Sequence, residues 1–169
     1  MAEAVFESYI LYMLDMEETI NKINAEIEDN RKNGIDDDRE LMKPYPVSMA
    51  QLYSLTGVPD MAEWMNDEIL YWKDKGYPLS KGCVEGFNRF IAVDPKTRGN
   101  IMQNFNKPLK IFEAESCRLA TSASDFDFND LRRKRMSVYI VLSPTGMEKY
   151  KQLINLFFSC LLYTSPSPR

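Results

Sequence analysis

The sequence predicts an α/β protein: a long, mainly helical region is followed by one β–α unit of an incomplete parallel sheet. Near the N-terminus, apolar residues recur every three or four positions, the period of a helix that buries one face. Four later stretches open with helix-capping patterns. Near the C-terminus, residues 137–142 form an uninterrupted β-prone run, typical of a strand buried on both faces.

The first predicted helix carries a single apolar stripe and ends in a charged run that contains Gly34. Glycine commonly follows the last turn of a helix because it tolerates a left-handed backbone. The stripe predicts a helix in the core of a helical domain, and a coiled coil is the alternative. Its residues are Met13, Met16, Ile20, Ile23 and Ile27.

Four shorter helices are predicted from their first residues. A Ser or Asp side chain at each start can accept hydrogen bonds from the first turn. The third helix contains Gly82 and Gly86, which weaken it unless they permit close helix packing. Together with the first helix, these segments predict an all-α domain over residues 1–112. The caps are Ser48, Asp60, Ser80 and Asp94, the last of which precedes Pro95.

The region after residue 112 has a different character. Ser143-Pro144 ends the β-prone run, and a capping pattern at 145–148 opens a helix that carries Leu153, Ile154 and Phe157. A single strand cannot form a sheet by itself, so its neighbours must lie outside this chain. Residues 113–159 are therefore predicted to be part of an α/β domain.

Composition excludes several kinds of site. The chain contains no histidine, which removes Ser–His and Cys–His catalysis and most zinc sites. Its three cysteines are far apart and form no CxxC pair, which fits a reducing compartment. The net charge of −4 gives no general indication of nucleic-acid binding. No apolar run reaches the roughly 20 residues of a membrane span.

The last ten residues, 160–169, match the translation of a transposase-type sequencing adapter. We therefore expect them to be read-through from a library end, with Ser159 as the last authentic residue. A natural Ser/Pro-rich tail is the alternative.

The sequence contains an ordered series of segments at residues 4–12, 96–102, 109–112, 120–126, 131–132, 137–143 and 150–159. This series resembles the type IV secretion system coupling proteins, the TraG/TraD-like conjugative DNA-transfer ATPases. The resemblance covers residues 1–159 and is strongest over 96–159. It implies that residues 1–112 are an inserted all-α domain and that 113–159 are part of a nucleotide-binding (RecA-like) domain. The implied class is thus an α/β P-loop NTPase fragment.

The resemblance also indicates what this chain lacks. No Gly-x-x-x-x-Gly-Lys-Ser/Thr sequence and no apolar strand ending in Asp-Glu occurs, so neither Walker motif is present. We expect no catalytic, cofactor or metal residue here, whereas the full-length parent is expected to use ATP and magnesium. The resemblance places that parent at the cytoplasmic face of the bacterial inner membrane, anchored by missing N-terminal helices, as a homo-hexamer. The fragment alone would be cytoplasmic.

Two basic groups are candidates for contact with DNA or with a neighbouring subunit. One is the cluster Arg132, Arg133, Lys134 and Arg135; the alternative is a solvated loop neutralised by Asp125, Asp127 and Asp130. The other comprises Lys96, Arg98 and Lys107 on one helix, with a solvent-facing helix surface as the alternative.

The functional prediction is a non-catalytic fragment of a coupling ATPase that delivers DNA, or a DNA–protein complex, to a type IV secretion channel. Its expected partners are DNA and relaxosome or cargo proteins. The alternative is a free-standing α-helical protein-interaction module, which predicts a closed core without a strand at 137–142.

Overall fold

The computed structural model describes residues 2–123, 127–135, 137–141 and 144–164. Regular structure within these ranges is helical, and no β-strand occurs in them. The chain divides into two compact units, Met1–Lys110 and Ile111–Arg169.

The first unit contains five helices joined by short turns and one longer loop. Helix α1 packs most extensively against α4 and also contacts α5 and α2. Helix α3 packs against α4, and α2 packs against α5. The helices are α1 (Ala2–Lys32), α2 (Met49–Leu55), α3 (Met61–Asp74), α4 (Lys81–Ile91) and α5 (Pro95–Leu109).

The four predicted N-caps are confirmed. Ser48 accepts a hydrogen bond from the Gln51 amide, and each of the other three caps likewise accepts from an amide of its own first turn. The predicted end of the first helix is also confirmed. Gly34, with a φ of 74°, follows α1, and Gly76, with a φ of 83°, follows α3. These boundaries follow from local chemistry because each cap satisfies amides or carbonyls of its own helix end.

The apolar stripe of α1 forms the core of the first unit, as predicted. Met13, Met16, Ile20 and Ile27 are buried, and Ile23 is partly buried. The stripe continues toward the N-terminus through Tyr9, which is fully buried and whose ring contacts those of Trp64, Phe87 and Phe105. Its packing within one unit agrees with a core stripe and not with a coiled coil.

Helices α1 and α4 approach closely at the glycines of α4. A Cβ atom at Gly86 would lie 2.8 Å from the Ser8 Cβ, and one at Gly82 would lie 3.1 Å from the Leu11 Cδ1. The missing Cβ atoms let the two backbones approach, so these glycines permit close helix packing, which was the alternative to their weakening the helix.

The loop between α1 and α2 is held against α1 by polar contacts. The Asn24 side-chain amide donates to the Met42 carbonyl and accepts from the Met42 N–H, both at 2.8 Å. Arg31 donates to the carbonyl of Arg39 at 2.6 Å, and Asn30 donates to the Asp37 carboxylate at 2.9 Å. These side chains replace the backbone partners that an irregular segment lacks.

The second unit consists of short helices and one longer helix. It begins within a 3-10 helix (Lys110–Glu113) and contains α6 (Glu115–Ala120), α7 (Asp130–Arg133), α8 (Pro144–Lys149) and α9 (Lys151–Thr164). The helix predicted after Ser143-Pro144 is therefore present, but it is interrupted at Tyr150, which lies in a turn. Of the predicted adapter segment, residues 165–169 lie outside the described residues.

The predicted strand at 137–142 is wrong. Residues 137–141 have no regular secondary structure and are exposed, with Tyr139 86% and Val141 92% accessible; Leu142 lies outside the described residues. A strand is stabilised by hydrogen bonds to a neighbouring strand, and none occurs in the described chain. Local β-propensity alone does not replace that partner. The described fold is all-α, so the α/β P-loop assignment, with its β–α unit of a parallel sheet, is corrected.

Candidate nucleic-acid interface

The predicted basic cluster lies at and after the end of α7. Arg132 and Arg133 belong to its last turn, Lys134 is its C-cap, and Arg135 follows. The side chain of Arg132 lies outside the described part of the chain. Lys134 Nζ lies 3.0 Å from the Asp130 Oδ2, whereas Arg133 and Arg135 are exposed and form no ion pair with a described residue.

The acidic residues upstream of the cluster are partly engaged in local contacts. Asp127 Oδ1 accepts hydrogen bonds from the backbone and side-chain nitrogens of Asn129 at 2.9 and 3.0 Å, and Asp130 pairs with Lys134. Asp125 lies outside the described residues. Of the three described basic side chains, Lys134 is therefore neutralised by a nearby carboxylate, whereas Arg133 and Arg135 face solvent.

Arg98 lies in the first unit, on the side of α5 that faces the core. It is partly buried and lines a cavity of about 350 Å³ together with Asp60, Met61 and Met102. Its side chain makes no ion pair within the described chain. Arg98 therefore belongs to the first unit and the α7 cluster to the second, so neither unit contains both.

The exposed side of α5 has an unusual charge composition. Residues 95–110 include four basic side chains and no acidic one, in a chain whose net charge is −4. Five exposed residues recur at spacings of four, three, four and three and therefore share one face of the helix. We call this surface the α5 lysine face; it comprises Lys96, Asn100, Gln103, Lys107 and Lys110.

Three lysines of α1 and α4 are paired, unlike those of the α5 lysine face. Lys22, Lys32 and Lys81 each lie within 4.0 Å of a glutamate one turn away. No ion pair within the described chain involves a lysine of α5 or Lys110. The neighbouring helix α2 has no charged residue, so it supplies no compensating carboxylate.

A polar pocket adjoins the C-terminal half of the α5 lysine face. We call it the Tyr53 pocket; its volume is about 650 Å³, and the partly buried Tyr53 of α2 forms one side. The Asn106 Oδ1 beside it is buried and has no hydrogen-bond partner among the described groups. The pocket is lined by Tyr53, Gln103, Asn104, Asn106, Lys107 and Lys110.

Sequence reasoning identified Lys96, Arg98 and Lys107 but missed Lys110, the amide side chains and Tyr53. The alternating spacing from Lys96 to Lys110 is visible in the sequence and could have identified that face. Tyr53 had no sequence signal, because the packing of α2 on α5 brings it there.

The second unit contains an apolar groove of about 520 Å³. Val138, Ile140 and Val141 line it from the irregular segment, and Leu153 and Ile154 line it from α9. At its margin, the Ser116 and Tyr150 hydroxyls lie 3.3 Å apart, and this hydrogen bond lowers the pKa of Tyr150. The groove is suited to an apolar partner and offers no charged contact.

The described residues show neither a clustered set of metal-ligand side chains nor a positive-φ glycine ahead of a helix. They contain no group of three or more His, Cys, Asp or Glu side chains that could hold a metal ion. The two glycines with positive φ follow helix C-termini, whereas a phosphate-binding loop precedes a helix N-terminus. None of the described helices combines the length and apolar composition needed to cross a bilayer.

The described part of the chain is all-α and exposes basic side chains that form no ion pair within it. A family model for type IV secretory system conjugative DNA transfer matches residues 77–166. The chain belongs to this family. The match begins just before α4 and includes α5 and the α7 basic cluster. Neither a curated protein nor a solved structure shows a significant match to the chain.

Family membership places the chain in conjugative DNA transfer and type IV secretion. The predicted relationship to TraG/TraD-like coupling proteins is thereby confirmed. The family assignment by itself says nothing about which residues contact DNA.

Proposed function

We propose that the chain is a non-catalytic part of a coupling ATPase that delivers DNA, or a DNA–protein complex, to a type IV secretion channel. The observation that carries the proposal is the family match over residues 77–166. Unpaired basic side chains in both units support a role in holding cargo. Phosphate groups are the natural partners of such side chains in a DNA-transfer protein.

ATP hydrolysis would be the task of other parts of the parent protein. The sequence has neither Walker motif, and the described residues contain no group of three or more His, Cys, Asp or Glu side chains that could hold a metal ion. In our proposal, the parent binds ATP and magnesium elsewhere, assembles as a homo-hexamer and is anchored at the cytoplasmic face of the inner membrane. No catalytic step is assigned to this chain.

Cargo contact is assigned to the basic side chains of the two units. In the first unit, Arg98 would act from the cavity beside α5. In the second unit, Arg133 and Arg135 are exposed members of the α7 cluster, which also includes Arg132 and Lys134. Relaxosome or cargo proteins are the proposed protein partners.

A second candidate function, an α-helical protein-interaction module, has a specific observation in its favour. The described chain has no strand at 137–141, and the apolar groove beside this segment is open. Such a module would bind protein and show no affinity for DNA, which separates the two candidates.

Binding measurements on the purified chain test the proposal. Fluorescence anisotropy with labelled oligonucleotides is expected to show binding that weakens steeply with salt, because displaced counterions drive it. Calorimetry with magnesium and ATP is expected to show no binding heat. Specific ATP binding by this chain would contradict its non-catalytic role. A chain that does not bind DNA at low salt would contradict the cargo role and favour the protein-interaction module.

A further inference from the structure

We propose that the α5 lysine face binds the phosphates of a single DNA strand and that the Tyr53 pocket takes one unpaired base. This inference rests on the proposed function and assigns its cargo site to particular residues. It concerns a surface on which sequence reasoning recognised only two of the five residues.

The charge pattern of α5 favours the binding of a polyanion. Most surface helices mix both signs: α1 carries eight acidic and three basic residues, and α4 joins Lys81 and Arg89 to Glu85. Residues 95–110 carry basic side chains alone. Without a carboxylate on the same surface, those charges are compensated by solvent ions, which a polyanion displaces favourably.

The α5 lysine face is long enough to contact several phosphates of one strand. From Lys96 to Lys110 the helical rise of ~1.5 Å per residue gives a length of roughly 21 Å, enough to follow several nucleotides. Asn100 and Gln103 lie between the lysines on the same face. Their amide groups can donate to phosphate oxygens, so the whole row presents hydrogen-bond donors as well as charge.

The Tyr53 pocket favours single-stranded DNA over duplex DNA as the ligand of this surface. It opens beside Lys107 and Lys110 and offers polar side chains together with one aromatic ring. Stacking on an aromatic ring requires an unpaired base, because bases in a duplex are already stacked and paired. A pocket of about 650 Å³ leaves room for such a base.

The test compares two triple variants of the whole chain with equal charge change. The first replaces the lysines of the α5 face, Lys96→Gln, Lys107→Gln and Lys110→Gln. The control replaces the glutamate-paired lysines of α1 and α4, Lys22→Gln, Lys32→Gln and Lys81→Gln. Both sets are exposed, so circular dichroism is expected to show unchanged helix content.

Anisotropy with a labelled single strand is measured across a salt series. Each lost phosphate contact should reduce the slope of log affinity against log salt by ~0.7, so the α5 variant should lose about 2. Its affinity at 0.1 M salt should fall at least about tenfold, whereas the control variant should stay within about threefold of the unaltered chain. Equal losses in both variants would overturn the assignment, because net charge alone would then explain them.

Tyr53→Leu tests the pocket. It should weaken single-strand binding by roughly tenfold and leave duplex binding unchanged. Duplex binding as tight as single-strand binding, with no effect of Tyr53→Leu on either, would overturn the single-strand assignment. If the unaltered chain binds no DNA, the proposed function itself fails. If it binds DNA and the α5 variant binds equally well, the assignment to α5 alone fails.

Discussion

At the residue scale, one carboxylate joins α1 and α3. Glu68 Oε2 accepts hydrogen bonds from the Tyr12 hydroxyl and the Trp72 Nε1, both at 2.8 Å. Burial, followed by the nearby Glu68 charge, raises the pKa of Tyr12 well above its usual range, so Tyr12 remains a donor at neutral pH. Both donors would be left without this partner if the carboxylate were removed.

Glu68→Ala is therefore expected to lower the free energy of unfolding by about 2 kcal/mol, because two partly buried donors lose their acceptor. Urea unfolding followed by circular dichroism measures the change. Asp67→Ala on the same helix is the matched control: Asp67 is exposed, so its change should stay within about 0.5 kcal/mol. Equal effects of the two substitutions would show that the Glu68 contacts contribute little.

Gly86→Ala is expected to lower the free energy of unfolding by about 1–3 kcal/mol, because the new methyl group would overlap Ser8. Gly99→Ala is the control. Nothing lies within 4 Å of its Cβ position on α5, so this substitution should stabilise the chain by up to ~1 kcal/mol through helix propensity. Stabilisation by both substitutions would contradict the close approach of α1 and α4.

Cys83 is expected to react slowly with thiol reagents in the folded chain. It is fully buried, and burial followed by the nearby Asp15 carboxylate raises the pKa of its thiol to about 12, so little thiolate forms at pH 8. The exposed Cys160 should react first. Mass spectrometry after timed alkylation, with and without urea, measures both rates. Rapid native labelling of Cys83 would show that the α1–α4 interface opens readily.

At the element scale, the sequence predicted an element correctly when the groups that stabilise it lie close by in the chain. Ser48, Asp60, Ser80 and Asp94 cap their own helices, so sequence alone located the starts of α2 to α5. The segment at 137–141 needed partners from another strand, which no local pattern can supply. The same holds for the candidate interface. The spacing of the α5 lysines can be read from the sequence, whereas the position of Tyr53 depends on packing between helices.

Backbone amides of 138–141 are expected to exchange with solvent within seconds at neutral pH, because they belong to no helix or sheet. Amides in the middle of α4, near the buried Phe87, should be protected for far longer. Hydrogen exchange read by mass spectrometry or NMR compares the two segments. Protection of 138–141 comparable to that of α4 would contradict the all-α assignment and indicate strand pairing.

At the scale of the whole molecule, family membership and surface charge both agree with contact between this protein and DNA. The matched residues, 77–166, include α5 and the α7 cluster. Lys96, Lys107, Arg133 and Arg135 in these elements form no ion pair within the described chain. The central claim is therefore that this protein acts in conjugation by holding DNA.

Transfer frequency from donor cells tests that claim most directly. The codons for Lys96, Lys107 and Lys110 in the intact gene are changed to glutamine, and a second donor receives the control changes at Lys22, Lys32 and Lys81, with protein levels checked by immunoblot. We predict at least a tenfold loss of transfer in the first donor and normal transfer in the second, in line with the loss of phosphate contacts. Normal transfer in both donors, at equal protein levels, would contradict the account.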